Sequence, residues 1–159
     1  MKKFELTSEF ITNIFGTKLF RIKALIEFGN VKAGELGGFV EKEENLSQDG
    51  NAWVYDSARV YDNARVYGNA WVCGDARVCG DACVYGDAGY ATVHGFGSEY
   101  RTTTFFKTKA GDIGVKCGCF YGNLSEFRKK VVETHGETKK AKEYLMLADL
   151  MEFRFSDNS

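Results

Sequence analysis

Residues 51–86 read NAWVYD, SARVYD, NARVYG, NAWVCG, DARVCG and DACVYG when cut every six positions. Valine returns at Val54, Val60, Val66, Val72, Val78 and Val84, and alanine stands two places before each of them. Residues two apart in a strand share a face, so each A-x-V triplet turns a small and an aliphatic side chain inward together. A pair of this kind repeated every six residues is the signature of a parallel β-helix. The bends fall at Asp56-Ser57, Asp62-Asn63, Gly68-Asn69, Gly74-Asp75, Gly80-Asp81 and Gly86-Asp87. These residue types accept left-handed backbone and hydrogen-bond their own turns. Three such strands close one triangular coil of eighteen residues, so the expected fold is mainly β, a short parallel β-helix. The six-residue period favours a left-handed coil.

The same register fixes what points outward. Between each Ala and Val stand Trp53, Arg59, Arg65, Trp71, Arg77 and Cys83, and after each Val stand Tyr55, Tyr61, Tyr67, Cys73, Cys79 and Tyr85. An eighteen-residue step stacks Trp53 under Trp71 and Arg59 under Arg77, with Arg65 below Cys83. Six hexapeptides give only two full coils, whose thin core of Ala and Val cannot bury its own ends. Caps at both ends are expected, and packing against copies of itself, with Trp53 and Trp71 as the interface of a homotrimer.

Residues 1–50 read as the N-terminal β cap. Lys18 to Ala24 alternates as a strand does, Phe28-Gly29-Asn30 signals a turn, and Gly34, Gly37 and Gly38 allow a sharp bend into the first coil. Val40 and Leu46 are six apart but Leu46 and Val54 are eight apart, which places two extra residues near Asp49-Gly50. The regular repeat region is set at 51–97, with register lost from Ala91 onward, and residues 98–159 form a small C-terminal α+β unit. Within that unit Thr103–Thr108 and Ile113–Phe120 are expected strands joined by a hairpin at Lys109–Asp112. Asn123 with Glu126 three later is a helix start of capping-box type, and Gly136 its stop. A second helix is expected from about Thr138 to about Met151, with Ala141, Tyr144, Leu145, Ala148 and Met151 facing inward. The sum is a ββαα unit.

Composition narrows the function classes. With 21 basic and 22 acidic residues the net charge is −1, which argues against long nucleic acid as a partner. The sequence has no apolar run of membrane-spanning length and no signal-like start, so a soluble intracellular protein of the cytoplasm is expected. The five cysteines are odd in number, and Cys117-Gly-Cys119 lacks zinc-knuckle spacing, so reduced thiols and no bound metal are expected.

The segments KLFRIKALIEFGNVKAGELGGFVEKEENLS and TTTFFKTKAGDIGVKCGCFYGNLSEFRKKVVETHGETKKAKEY flank the hexapeptides. Together with them the chain, from about residue 4 to its end, resembles a family of hexapeptide-repeat proteins common in phages and prophages. Phe39 stands where relatives often have Trp. The resemblance implies a variable number of coils between fixed caps and brings no catalytic residue with it. By analogy with other small phage accessory proteins it implies antagonism of a bacterial host defence.

Two chemistries compete for the outward rows. Arg59, Arg65, Arg77 and Arg101 with Tyr55, Tyr61, Tyr67 and Tyr85 combine guanidinium forks with aromatic faces. That combination suits clamping of a phosphate with stacking of a base, or a protein interface. The expected function is therefore non-enzymatic capture of a nucleotide signal or a defence protein, with no cofactor. The alternatives are a trimeric hexapeptide acyltransferase and a purely structural phage component. An acyltransferase would need a histidine base, and the chain has only His94, at the exit from the coil, and His135, beside a helix C-terminus.

Overall fold

The computed structural model describes residues 2–86, 89–96 and 102–156. Arg101, one of the expected anion contacts, lies outside them. The described chain is mainly β, a β-solenoid of hexapeptide repeats closed at each end by an antiparallel sheet, the second of which carries two helices.

Each hexapeptide makes a two-residue strand. On face one β4 (Trp53–Val54) pairs in parallel with β7 (Trp71–Val72). On face two β3 (Leu36–Val40), β5 (Arg59–Val60) and β8 (Arg77–Val78) stack in that order. On face three β6 (Arg65–Val66) pairs with β9 (Cys83–Val84), with Leu46 bridged below Val66. The pairs Trp53↔Trp71, Arg59↔Arg77 and Arg65↔Cys83 reproduce the eighteen-residue step. All six alanines and all six valines of the repeats are buried, which is the core that the sequence pattern names. The first coil is two residues longer, with Val40 under Val60 and Leu46 under Val66.

The corners explain the Asp-or-Gly choice in the sequence. Asp56 and Asp62 adopt φ of +54° and +58°, and Gly68, Gly74 and Gly80 take the equivalent left-handed backbone. Asp56 Oδ2 accepts from Gly74 N at 3.2 Å and Asp62 Oδ2 from Gly80 N at 3.1 Å, so each aspartate satisfies the corner amide one coil above. Asp and Asn pay less than other side chains for this backbone because they can bond locally.

Below the prism, β1 (Phe4–Thr12) and β2 (Lys18–Ala24) extend the sheet of face two in the order β1-β2-β3-β5-β8. A Cβ at Gly37 would meet Val54 O at 2.6 Å, and one at Gly38 would meet Ala58 O at 2.6 Å, so only glycine fits where β3 enters the coil. This sheet folds across Trp53, whose ring packs edge-on against Phe4 at 6.2 Å and Phe28 at 5.2 Å. Trp53 is fully buried, which corrects its expected role in an outward interface strip: its partner is the chain's own cap. Lys3 is buried beside it, donating from Nζ to Ala52 O at 2.7 Å and lying over the Phe28 ring. Burial pushes its ammonium down to about 8.

Above the prism, β10 (Tyr90–Val93), β11 (Thr103–Lys107), β12 (Ile113–Cys117) and β13 (Phe120–Asn123) form an antiparallel meander. The expected ββαα unit is thus four-stranded and begins at Tyr90, so a boundary at residue 97 falls inside its sheet. The single strand expected over Ile113–Phe120 is broken by Gly118, at φ +58°, into a hairpin that pairs Cys117 with Phe120. Alternation along β11 joins the two halves of the molecule: Phe106 enters the coil core and Phe105 the core beneath the helices. Where the coil has no further rung, side chains replace it. Arg77 N donates to Thr104 Oγ1 at 3.0 Å, and the Tyr90 hydroxyl donates to Trp71 O and accepts from Cys73 N.

The helices α1 (Leu124–His135) and α2 (Lys139–Arg154) cover the outer face of this sheet. The capping box is present, with Asn123 Oδ1 accepting from Glu126 N and Glu126 Oε1 accepting from Asn123 N. In α2 the buried stripe is Ala141, Tyr144, Leu147, Ala148 and Met151; Leu147 takes the inward place expected of Leu145, which is half-buried. No described helix is long and apolar enough to cross a membrane.

Candidate functional site

Arg59 and Arg77 stand one rung apart on face two, each between an inward Ala and an inward Val, so both side chains leave the coil in the same direction. Rungs of a parallel ladder lie about 4.8 Å apart. The C-terminal sheet overhangs this row. In β12 Val115 faces the helices, so its neighbour Lys116 turns the opposite way, toward the coil, and is only 5% exposed. His94 follows β10 and Thr102 precedes β11, and His94 Nδ1 lies 2.9 Å from Thr102 Oγ1. These groups line one cleft of about 610 Å³, closed at one side by Ile14 of the β1–β2 turn and at the corners by Ser57 and Asp75.

The electrostatics of the cleft are one-sided. Arg59, Arg77 and Lys116 face a single acid, Asp75. None of the three cationic side chains makes a side-chain hydrogen bond or an ion pair among the described residues. Arg59 is held below the ordinary arginine value, first by burial and then by the Arg77 charge beside it. The Lys116 side chain is nearly buried along its length and ends at the cleft; Tyr121 is its cross-strand partner in β13, and the Phe15 ring lies 5.8 Å from Nζ to centroid.

The other expected contacts are elsewhere. Arg65 lies on face three, in a groove with Lys42, Asn63, Asp81 and Lys109. Tyr67 and Tyr85 pack with their rings tilted at 5.0 Å beside that face, and Tyr55 packs on Trp71 at 5.2 Å. Tyr61 is buried, so it offers no free ring for a base, and burial together with the neighbouring Cys79 raises its phenol. Cys79 is buried with it, and burial pushes its thiol up to about 11. The expected set thus divides: Arg59 and Arg77 meet, Arg65 sits on another face, and no tyrosine of the set lines their cleft. Of the expected interface pair, Trp71 is 37% exposed while Trp53 is buried.

Lys116 and Thr102 were not named by the repeat. The signal for Lys116 was present in the alternation of Ile113–Cys117, which puts it opposite Val115. What that face meets is a tertiary matter. His135 stacks on Tyr144 at 5.9 Å, at the C-terminus of α1, the structural place expected of it.

Two comparisons with known proteins bear on this arrangement. The family described as "YdcK Beta solenoid repeat" matches residues 58–74, which run from the second to the fourth hexapeptide and include Arg59 and Arg65. The Escherichia coli (strain K12) protein described as "Uncharacterized acetyltransferase YdcK" is 40% identical over 63 residues. That match covers 35% of this chain, and the chain spans 19% of that relative's length. Both findings support a β-solenoid of hexapeptide repeats.

Proposed function

We propose that this protein is a non-enzymatic binding module that captures a small anionic ligand in the cleft of Arg59, Arg77 and Lys116. Lys116 carries the proposal. Its ammonium brings a third positive charge to the cleft with no ion pair among the described residues, and a bound anion supplies the countercharge. The two guanidiniums one rung apart add donor forks suited to phosphate or carboxylate oxygens. Capture of a signal inside a bacterial host, in antagonism of a defence, is the setting that the phage-family resemblance suggests for such a module. Self-association as a homotrimer belongs to the same proposal through Trp71 alone, since Trp53 is committed to the cap.

Calorimetry with inorganic pyrophosphate at low salt tests the cleft. A charged hydrogen bond contributes about 1.5–3 kcal/mol, so Arg77→Ala should weaken binding about tenfold or more. Added salt should weaken the wild type more than that variant. No heat with the wild type would refute the reading.

A second reading, acyl transfer, is favoured by His94 at the mouth of the same cleft and by the name of the Escherichia coli relative. In the tautomer whose Nδ1–H donates to Thr102 Oγ1, the other imidazole nitrogen is the one that would take a proton from an acceptor hydroxyl or amine. Release of free thiol from acetyl-coenzyme A in the presence of an acceptor, abolished in His94→Ala, would establish it. Pyrophosphate binding unchanged in His94→Ala, with no thiol release, would leave capture as the function.

A further inference from the structure

The turn between β1 and β2 holds two large apolar side chains out in the open beside this cleft. Asn13 Oδ1 accepts from Phe15 N at 3.0 Å and from Thr17 N at 2.9 Å, and Gly16 N donates to Asn13 O at 3.0 Å with Gly16 at φ +84°. The backbone of the turn is thereby satisfied without help from the side chains of Ile14 and Phe15, each 71% exposed. Turns of this kind ordinarily carry polar residues. Ile14 lines the cleft, and Phe15, the next residue, stands just outside its lining with its ring 5.8 Å from the Lys116 ammonium.

A purely inorganic anion would use the three cations and leave that ring in water. A ligand with a flat aromatic body on a phosphate would use both. We propose that the ligand of this cleft is a nucleotide, its phosphates at Arg59, Arg77 and Lys116 and its base stacked on Phe15. The inference rests on the anion-binding reading above and moves the stacking surface from the coil tyrosines to the turn. Base stacking on an aromatic side chain tolerates any base, because each presents a π-face. A lysine placed between ring and phosphate attracts both, through the ring's negative face and through charge.

The test compares ADP with inorganic pyrophosphate by calorimetry on the wild type, Phe15→Ala, Phe15→Trp and Arg77→Ala. Phe15 is exposed, so its substitution leaves the fold intact. ADP should bind the wild type about fivefold to a hundredfold tighter than pyrophosphate, the range that one stacked base contributes. Phe15→Ala should weaken ADP more than pyrophosphate and so abolish that advantage, Phe15→Trp should retain it, and Arg77→Ala should weaken both ligands. Equal affinities for the two ligands in the wild type, or an advantage that survives Phe15→Ala, would overturn the nucleotide assignment while leaving the anion cleft standing. Absence of pyrophosphate binding would instead remove the anion reading on which it rests.

Discussion

Trp53→Ala should destabilise the protein far more than Trp71→Ala, although the two residues are paired on adjacent rungs in identical NAWV quartets. Trp53 is fully buried, wedged between Phe4 and Phe28, with Gly37 so close that a Cβ there would come within 2.8 Å of the indole. A buried Trp side chain removes roughly 150–250 Å² from water, and deleting it in a packed core costs about 3–5 kcal/mol including the cavity left behind. The loss falls on the contact between cap and coil, so β1 and β2 should loosen with it. Trp71 is 37% exposed and packs on Tyr55, so its deletion should cost less, about 1–2 kcal/mol. Urea unfolding followed by far-UV circular dichroism measures both losses. Hydrogen exchange of the Phe4–Thr12 amides should accelerate in Trp53→Ala alone. Equal destabilisation by the two substitutions would refute the assignment of Trp53 to the cap.

Three further outcomes are expected. Val66→Asp should bury an unpaired carboxylate and prevent folding, whereas Arg65→Asp, on the exposed side of the same rung, should leave circular dichroism and thermal midpoint nearly unchanged. Asp62→Ala should cost about 1–2 kcal/mol, because it loses the bond to Gly80 N and puts a Cβ at φ +58° without local compensation; Asp62→Gly, which relieves the backbone, should cost less in the same urea titration. Stability should depend on pH through two opposed contributions whose windows overlap between pH 9.0 and 10.5. Lys3 titrates near 8 in the folded chain against 10.5 in the unfolded one, so the unfolded state holds more protons between these values and stability rises with pH from about 8. The Cys79 thiol titrates near 11 when folded against 9.0 when unfolded, so the folded state holds more protons there and stability falls between pH 9 and 11. Cys79→Ala should remove up to about 2–3 kcal/mol of that fall, and Lys3→Met should flatten the earlier rise; an unchanged pH profile in both variants would contradict the burial of these groups.

The repeat determined a great deal without any tertiary information. Its period fixed the coil length, the pairing of Trp53 with Trp71 and of Arg59 with Arg77, the identity of the Ala and Val core, and the two extra residues of the first coil. These follow from alternation along a strand and from turn chemistry, both local to a few residues, so the letters carry them. The capping box at Asn123 and Glu126 was legible for the same reason. What covers each outward row was not. Trp53 and Tyr61 are buried while Trp71 and Tyr67 are open, though each stands at the same place in its hexapeptide as its exposed counterpart. The difference is made where the two ends of the chain fold back: the N-terminal sheet over face one, the C-terminal sheet over face two. That docking also brings Lys116 from β12 to Arg59 and Arg77, 57 and 39 positions earlier in the sequence, and leaves Arg65 on a face apart. A periodic sequence presents chemically equal rows, and only the aperiodic segments packing on them decide which row becomes core, which becomes a site and which stays in water.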